Sequence, residues 1–301
     1  MTQSVRDLAF HTIKDILNNN AYSNLKINEV INQYNIATVD KALFTELVYG
    51  TIKRKMTLDF YLKPFVKTRI KSWVRQLLWM SLYQYVFLDK IPNHAIINEA
   101  VNIAKRRGGQ HNGNIVNAIL RHIFKSDLPR LDTIKNEKQR MAIEYSIPRW
   151  IIEHWITHYG IETTHNIAKS FLVQSASTVR VNTSRTDVET ISKALLQEGY
   201  HVDIDQLIPY CLHLTGKPVI ESRFFKDGLI SIQDKSSMLV GDLMKVQKGD
   251  NILDACSAPG GKACHMAELL ASSGHVDATD IHMHKIGLFK DNIKKLKLKI
   301  M

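Results

Sequence analysis

Residues 249–299 read GDNILDACSAPGGKACHMAELLASSGHVDATDIHMHKIGLFKDNIKKLKLK, and this stretch decides the fold. A short apolar strand, Asn251 to Asp254, ends on a carboxylate, and the glycine loop Ala258-Pro259-Gly260-Gly261 leads directly into a helical pattern. A second strand, VDATD, ends on Asp280, and a second helical pattern follows it. Strand, tight loop, helix, strand, helix is the opening of a doubly wound α/β domain. In such a sheet a ligand lies beyond the carboxyl ends of the strands, beside the free backbone N–H groups of the helix start. Glycines suit that turn because any Cβ would hold the backbone away.

The spacing narrows the choice of ligand. A Walker phosphate loop, G-x-x-x-x-G-K-[ST], aligned on Gly261-Lys262 would need glycine at 256 and Ser or Thr at 263, where the chain has Cys256 and Ala263. The dinucleotide pattern G-x-G-x-x-G is absent as well. Asp280 fits a ribose-binding carboxylate, roughly 20 residues beyond the loop. A nucleoside cofactor with no required phosphate cradle points to S-adenosylmethionine. A Gly-Gly turn after a strand is also common punctuation, so the residues by themselves leave a ligand-free turn open.

Upstream, residues 146–245 read as a small α+β segment. Pro148 opens a helix through Trp150, Ile152 and Trp155. The alternating STVRVNT at 177–183 is a strand, ETISKALLQEGY a helix closing near Gly199, and HVDID a further strand. Short strands at LHL and LISI precede a helix starting near Asp234. Residues 126–145 turn polar, with SDLPRLD and KNEKQR, and mark a boundary.

Residues 1–125 read as all helix. Apolar residues recur at three and four positions in Val5, Leu8, Ala9, Ile13, Ile16 and Leu17, and again around Leu43, Trp73 and Ile96. Trp73, Trp79, Tyr83, Tyr85 and Phe87 share helical spacing with aliphatic neighbours, which assigns them to the core rather than to a base-stacking platform. RRGGQHNGN at 106–114 reads as a loop between two helices, with the last helix running from Asn114 to Phe124.

Charge separates these regions further. The 301-residue chain carries a net +11, and residues 1–125 hold 18 Lys+Arg against 8 Asp+Glu, whereas residues 126–301 hold 22 against 21. Lys53, Arg54, Lys55, Lys63, Lys67, Arg69, Lys71 and Arg75 cluster with only Asp59 among them, and Lys105, Arg106 and Arg107 follow. Clustered positive charge attracts a phosphate backbone through counterion release, so a nucleic-acid partner is expected for the helical segment. Three cysteines, Cys211, Cys256 and Cys264, make no disulfide framework and favour a reducing cytoplasm. No run approaches about 20 uncharged apolar residues, and the amino-terminal MTQSVRDLAFHTIKDILNNN lacks the apolar centre of a signal peptide. No membrane partner is expected.

These motifs carry a resemblance. LDACSAPGGKACHMAELL with GHVDATDIHMHKIGLFKDNIKKLKL resembles the first two motifs of RNA cytosine-C5 methyltransferases, SIQDKSSMLV resembles their QDxxS segment, and STVRVNT the strand before their catalytic fold. KALFTELVYGTIKRK, IPNHAIINEAV and NIVNAILR are similar to the NusB-type RNA-binding domain. Together the resemblance spans essentially the whole chain and is to bacterial 16S ribosomal RNA cytosine-C5 methyltransferases of the RsmB/Sun family. It implies a multidomain chain: an all-α NusB-like domain at 1–130, a small α+β linker domain at 146–245, and the first βαβα part of a Rossmann-like methyltransferase domain at 246–301. It implies that Cys256, Ser257, Ala258, Pro259, Gly260, Gly261 and Lys262 bind S-adenosylmethionine and that Asp280 holds its ribose. It implies also that Arg180, Asn182, Gln233, Asp234 and Ser236 line or brace the face where the target base enters. Two of these have plainer readings, Asp234 as a helix cap and Arg180 as a strand surface charge.

Methylation at cytosine C5 requires a thiolate to add at C6 first, an acid near N3 and a base for the C5 proton. The Thr-Cys and Asp-Ala-Pro-Cys motifs that supply the family's nucleophile are not in this sequence. Cys256 lies in the cofactor loop, Cys264 one turn into the helix and Cys211 beside a middle-domain strand, so no catalytic residue is assigned. The cysteines and histidines at 256, 264, 265, 282 and 284 lack paired C-x-x-C spacing, and no metal is expected. A doubly wound sheet needs about five strands; two are legible, and the apolar positions Ile293, Leu296, Leu298 and Ile300 among the lysines at 290–299 suit a helix packing on further strands. The expectation is a carboxyl-terminally truncated, monomeric, cytoplasmic chain that binds ribosomal RNA and cofactor without turnover. Two rivals remain: a NusB-like antitermination module without catalysis, and a cytosine-C5 methyltransferase acting on transfer RNA.

Overall fold

The computed structural model describes residues 4–19, 21–173 and 176–298. The chain divides into two compact units, Met1–Gln174 and Ser175–Met301.

The first unit is helical: α1 (Val5–Asn19), α2 (Ser23–Gln33), α3 (Thr38–Lys53), α4 (Lys55–Leu62), α5 (Ser72–Phe87), α6 (Asn93–Ile123), α7 (Glu137–Tyr145) and α8 (Arg149–Ser170). The apolar stripes meet in one core built from Phe10 and Ile13 of α1, Phe44 and Leu47 of α3, Leu77 and Leu78 of α5, and Val116 and Leu120 of α6. The aromatic residues of α5 pack there as their spacing requires. Trp79 and Tyr83 are buried, while Trp73, Tyr85 and Phe87 lie half-buried at its margin. The polar ends of the buried pair are satisfied: Trp79 Nε1–H donates to Asp59 Oδ1 at 3.0 Å and Tyr83 donates to Glu46.

The break expected at 106–114 narrows to one residue: within the span of α6 two helices meet at a kink at Gly109, at φ 75° and ψ 179°, and the residues on either side of it are helical. Composition misleads here because Gly108 and Gly113 are helical positions used for close packing: a Cβ on Gly108 would lie 2.8 Å from the Trp73 ring. Helix α8, which composition places in the middle segment, packs with α7, and Thr57 Oγ1 of α4 donates to the carbonyl of Ile143 in α7 at 2.6 Å. Met56 completes a small core with Met141, Ala142, Tyr145 and Ile152. By packing, α7 and α8 therefore belong with the helices before them.

The second unit begins with β1 (Ser177–Val181), α9 (Val188–Gln197), β2 (His201–Ile204), β3 (Cys211–Thr215), α10 (Arg223–Lys226), β4 (Ile230–Ile232) and α11 (Lys235–Met244). The strands form an antiparallel sheet in the order β2-β3-β1-β4, with Arg180 of β1 opposite both Cys211 and Ser231. Asp187 caps α9, its side chain accepting from the Thr190 N–H at 2.8 Å. The expected strand-loop-helix-strand-helix follows as β5 (Asn251–Asp254), α12 (Gly261–Leu269), β6 (His275–Ala278) and α13 (Met283–Leu296). Strands β5 and β6 pair in parallel, Asn251 opposite His275 and Asp254 opposite Ala278. Ile252, Ala263, Met266, Ala267, Leu270 and Val276 form the core beneath them, against which Leu298 packs. Ile300 and Lys299, expected in the final helix, lie outside the described residues.

Candidate cofactor site

Parallel pairing puts the carboxyl ends of β5 and β6 side by side, so Asp254 and the segment from Thr279 to Asp280 lie at one edge. Hydrogen bonds stitch the glycine loop to that edge. The Thr279 N–H donates to the Asp254 carbonyl at 2.9 Å, and the Ser257 N–H and hydroxyl both donate to the Thr279 carbonyl, at 2.9 and 3.0 Å. Asp280 takes the Ala258 N–H on one carboxylate oxygen at 3.1 Å and the His282 N–H on the other at 2.8 Å. The His282 amide, then the Ala258 amide, hold its carboxyl below the usual carboxylate range. A carboxylate accepts about four hydrogen bonds, so Asp280 keeps acceptor capacity for further donors.

Gly260 ends the loop at φ 102°, and a Cβ there would lie 2.2 Å from the Phe289 ring of α13. Both the backbone conformation and the space demand glycine. Asn292 of α13 secures the turn by donating to the Pro259 carbonyl at 2.9 Å. Helix α12 then starts at Gly261. Cys256, Pro259, Gly261 and Lys262 are exposed, Ala258 is half-buried, and Ser257 and Gly260 are buried. The predicted cofactor residues therefore form one loop joined to Asp280 through Ala258.

The chemistry of this edge suits S-adenosylmethionine. Its acceptors are the carboxylates of Asp254 and Asp280, and Asp254 Oδ2 is a buried oxygen with no partner among the described residues. An orphaned buried acceptor costs about 1–3 kcal/mol, and an ammonium or hydroxyl donor would satisfy it. The cofactor offers such donors in its amino-acid portion and its ribose.

The five residues expected on the target side separate into two groups. Asp234 and Ser236 are exposed at the start of α11, and Asp234 occupies the N-cap position without a side-chain capping bond. Arg180, Asn182 and Gln233 are buried. Arg180 is not a surface charge: at 1% exposure it ranks among the largest fully buried side chains. Its Nη1 donates to Gln233 Oε1 and to the Gly261 carbonyl at 3.3 Å, and its Nη2 to Glu268 Oε1 at 2.6 Å. Asn182 Oδ1 accepts from the N–H and hydroxyl of Ser184.

Sequence reasoning missed Glu268 and Asn292. A signal existed for Glu268, since an acid in the last turn of a helix opposes the macrodipole and needs a cation nearby. Its carboxyl is pushed up by burial, with Arg180 pulling the other way.

The cysteines are poor nucleophiles as placed. Burial pushes the Cys264 thiol up to about 12 and the Cys211 thiol up to about 11, whereas an attacking thiolate needs a lowered pKa. Cys256 is exposed within the loop itself. Asp205, Cys211 and His213 are the one set of possible metal ligands among the described residues. The Asp205 carboxylate there is already occupied by Lys235 Nζ at 2.7 Å and His213 Nε2 at 3.0 Å.

In the first unit the basic residues Lys53, Lys55, Lys63, Lys67, Arg69 and Lys71 are exposed. Arg75 pairs with Asp59 at 2.6 Å, and Arg54 lies over the Phe87 ring at 4.4 Å. No helix among the described residues is long and apolar enough to cross a membrane.

Known proteins match three segments of the chain, the second of which takes in α8. Residues 3–125 match the NusB family, residues 147–221 the ferredoxin-like domain of RsmF/B-like methyltransferases, and residues 242–301 the 16S rRNA methyltransferase RsmB/F family. The fold resembles the crystal structure of PH0851 with a TM-score of 0.78 at 22% identity, covering 100% of this chain and 69% of that one. The probable ribosomal RNA small subunit methyltransferase B of Synechocystis is 27% identical over 99% of this chain and 68% of its own length. The Bacillus subtilis protein of the same name is 39% identical over 99% of this chain and 67% of its own length, so the chain spans about two thirds of these relatives. On that identity and coverage, with the helical, ferredoxin-like and methyltransferase segments in the order the residues had indicated, the chain belongs to the ribosomal RNA small subunit methyltransferase B family.

Proposed function

We propose that this chain provides the RNA-binding and methyl-donor-binding parts of an S-adenosylmethionine-dependent methyltransferase that modifies C5 of a cytosine in 16S ribosomal RNA. The observation that carries the reading is the glycine loop stitched to Asp280 at the ends of two parallel strands. When bound, the cofactor supplies an electrophilic methyl group on a sulfonium. The chain's own residues bind and orient it: Asp280 accepts from the ribose hydroxyls, Asp254 from the amino-acid portion, and the loop from Cys256 to Lys262 shapes the cradle. Asn182, Gln233, Asp234 and Ser236 support the entry face for the base. The exposed lysines and Arg69 of the helical unit draw in the RNA backbone, with ribosomal RNA as partner, in the cytoplasm and as a monomer.

We assign the thiolate that must add at C6 to residues outside this chain. The raised thiols of Cys211 and Cys264 and the loop position of Cys256 support that assignment. So do the exposed apolar side chains of Leu253 on β5 and Leu288 on α13, which suit further packing partners. The chain alone is expected to bind both ligands and to transfer no methyl group.

Calorimetry with S-adenosylmethionine tests the donor site: binding is expected, and Asp280→Ala should weaken it by about tenfold or more. Binding that ignores Asp280→Ala would overturn the reading. Crosslinking to total RNA identifies the substrate, and enrichment of transfer RNA over 16S RNA would favour the transfer-RNA alternative.

A further inference from the structure

We propose that Arg180 is a positioning residue for the methyl donor, through which the four-stranded sheet sets the affinity of the glycine loop. The proposal rests on the loop being the S-adenosylmethionine site. The strand carrying Arg180 is internal to its sheet, paired on one side at Cys211 and on the other at Ser231, so its backbone is fixed. From there one guanidinium grips both ends of α12: the Gly261 carbonyl at the first residue, 3.3 Å away, and the Glu268 carboxylate in the last turn, 2.6 Å away. Gln233, leading out of the neighbouring β4, accepts a third bond from the same group.

A planar fork carries donors on separate nitrogens in fixed directions and so spans acceptors that a lysine's single nitrogen does not reach together. The clamp matters because α12 has only nine residues, too short to hold its own geometry in water. Its first residue directly follows Gly260, in the left-handed region, and opens the helix whose N–H groups face the loop. Glu268 neutralises Arg180, so the pair delivers position and not net charge. Such a bond network fixes the loop before any ligand arrives, which is where preorganisation raises affinity.

The test measures S-adenosylmethionine binding by calorimetry, thermal midpoint, and amide hydrogen exchange over residues 257–264. Arg180→Met should lose about tenfold or more in affinity, the scale of a lost charge-assisted hydrogen bond, and speed exchange in that segment. In the double variant Arg180→Met/Glu268→Leu the uncompensated buried carboxylate is gone, so the thermal midpoint should return close to wild type while affinity stays low and exchange fast. If affinity returns together with the midpoint, Arg180 only stabilises the fold and the proposal fails. If neither Met variant folds, Arg180→Lys, which keeps the charge beside Glu268 without the fork, should fold and show the same loss; wild-type affinity in that variant would also overturn the proposal. If the wild-type chain binds no S-adenosylmethionine, the cofactor reading of the loop fails on its own, and unchanged exchange in the Arg180→Met chain would separately dismiss the clamp.

Discussion

The two units are held together by different means. The first buries a continuous apolar cluster in which helices contribute Phe10, Phe44, Leu47, Leu78 and Leu120; its buried Thr12 and Ser81 hydroxyls bond within their own helices, and Thr57 bridges α4 to α7. The second divides its apolar residues among smaller clusters under two separate sheets and joins them through buried polar groups, Arg180, Glu268, Gln233 and His265. An apolar core tolerates loss by degrees, because burial scales with area. A buried ion pair fails abruptly, because removal of one partner strands the other. On the function proposed above, the half that keeps its shape chiefly by area would meet a polymer, and the half that keeps it by a few directed bonds would carry the loop that matches one small molecule.

That contrast can be broken most forcefully at Arg180. Arg180→Met should destabilise the second unit by about 3–5 kcal/mol, seen as an early transition in calorimetric unfolding, while the transition of the first unit stays in place. A single shared transition that moved as a whole would contradict the separation. Leu78→Ala, in the first core, should cost about 2–5 kcal/mol and move only the other transition.

His265 sharpens the comparison through pH. Burial, with Arg180 nearby, pushes its imidazole from 6.5 down to about 3, and the ring lies edge-on to Tyr210, with centroids 5.4 Å apart. The unfolded chain therefore binds the proton between those values and the folded chain does not, so the stability this neutral histidine confers is full above pH 6.5 and is lost as pH falls toward 3. Between pH 7.5 and 5 the second unit should lose about 2 kcal/mol that a His265→Gln chain does not lose, measured by urea unfolding. The smallest effect is expected at Asp187→Ala, where loss of the α9 cap should cost about 1 kcal/mol.

How far the chain could be read from its residues follows the same division. The helices of the first unit were legible because apolar residues such as Ala9, Ile13 and Ile16 recur at four and three positions, and the α/β opening because Asp254, Gly260 and Asp280 stand at the spacing of a strand-loop-helix-strand turn. The loop expected at 106–114 shrank to a kink at Gly109 because glycine signals both turns and close helix packing, and composition does not separate them. For Glu268 the need for a cation was legible, but not which cation. Its partner lies 88 residues away in sequence, and no local pattern records which acid will meet which base once a strand and a helix come together. The glycine loop could be located from its residues, whereas the groups that brace it could not.

The break in α6 has a consequence of its own. At φ 75° and ψ 179° Gly109 occupies a region closed to L-residues, yet a Cβ built there meets nothing within 4 Å. The requirement is one of handedness, not of room. A D-alanine introduced at 109 by chemical ligation would find that region its ordinary extended basin, and would stiffen the junction between the two halves of α6 where every natural side chain would strain it.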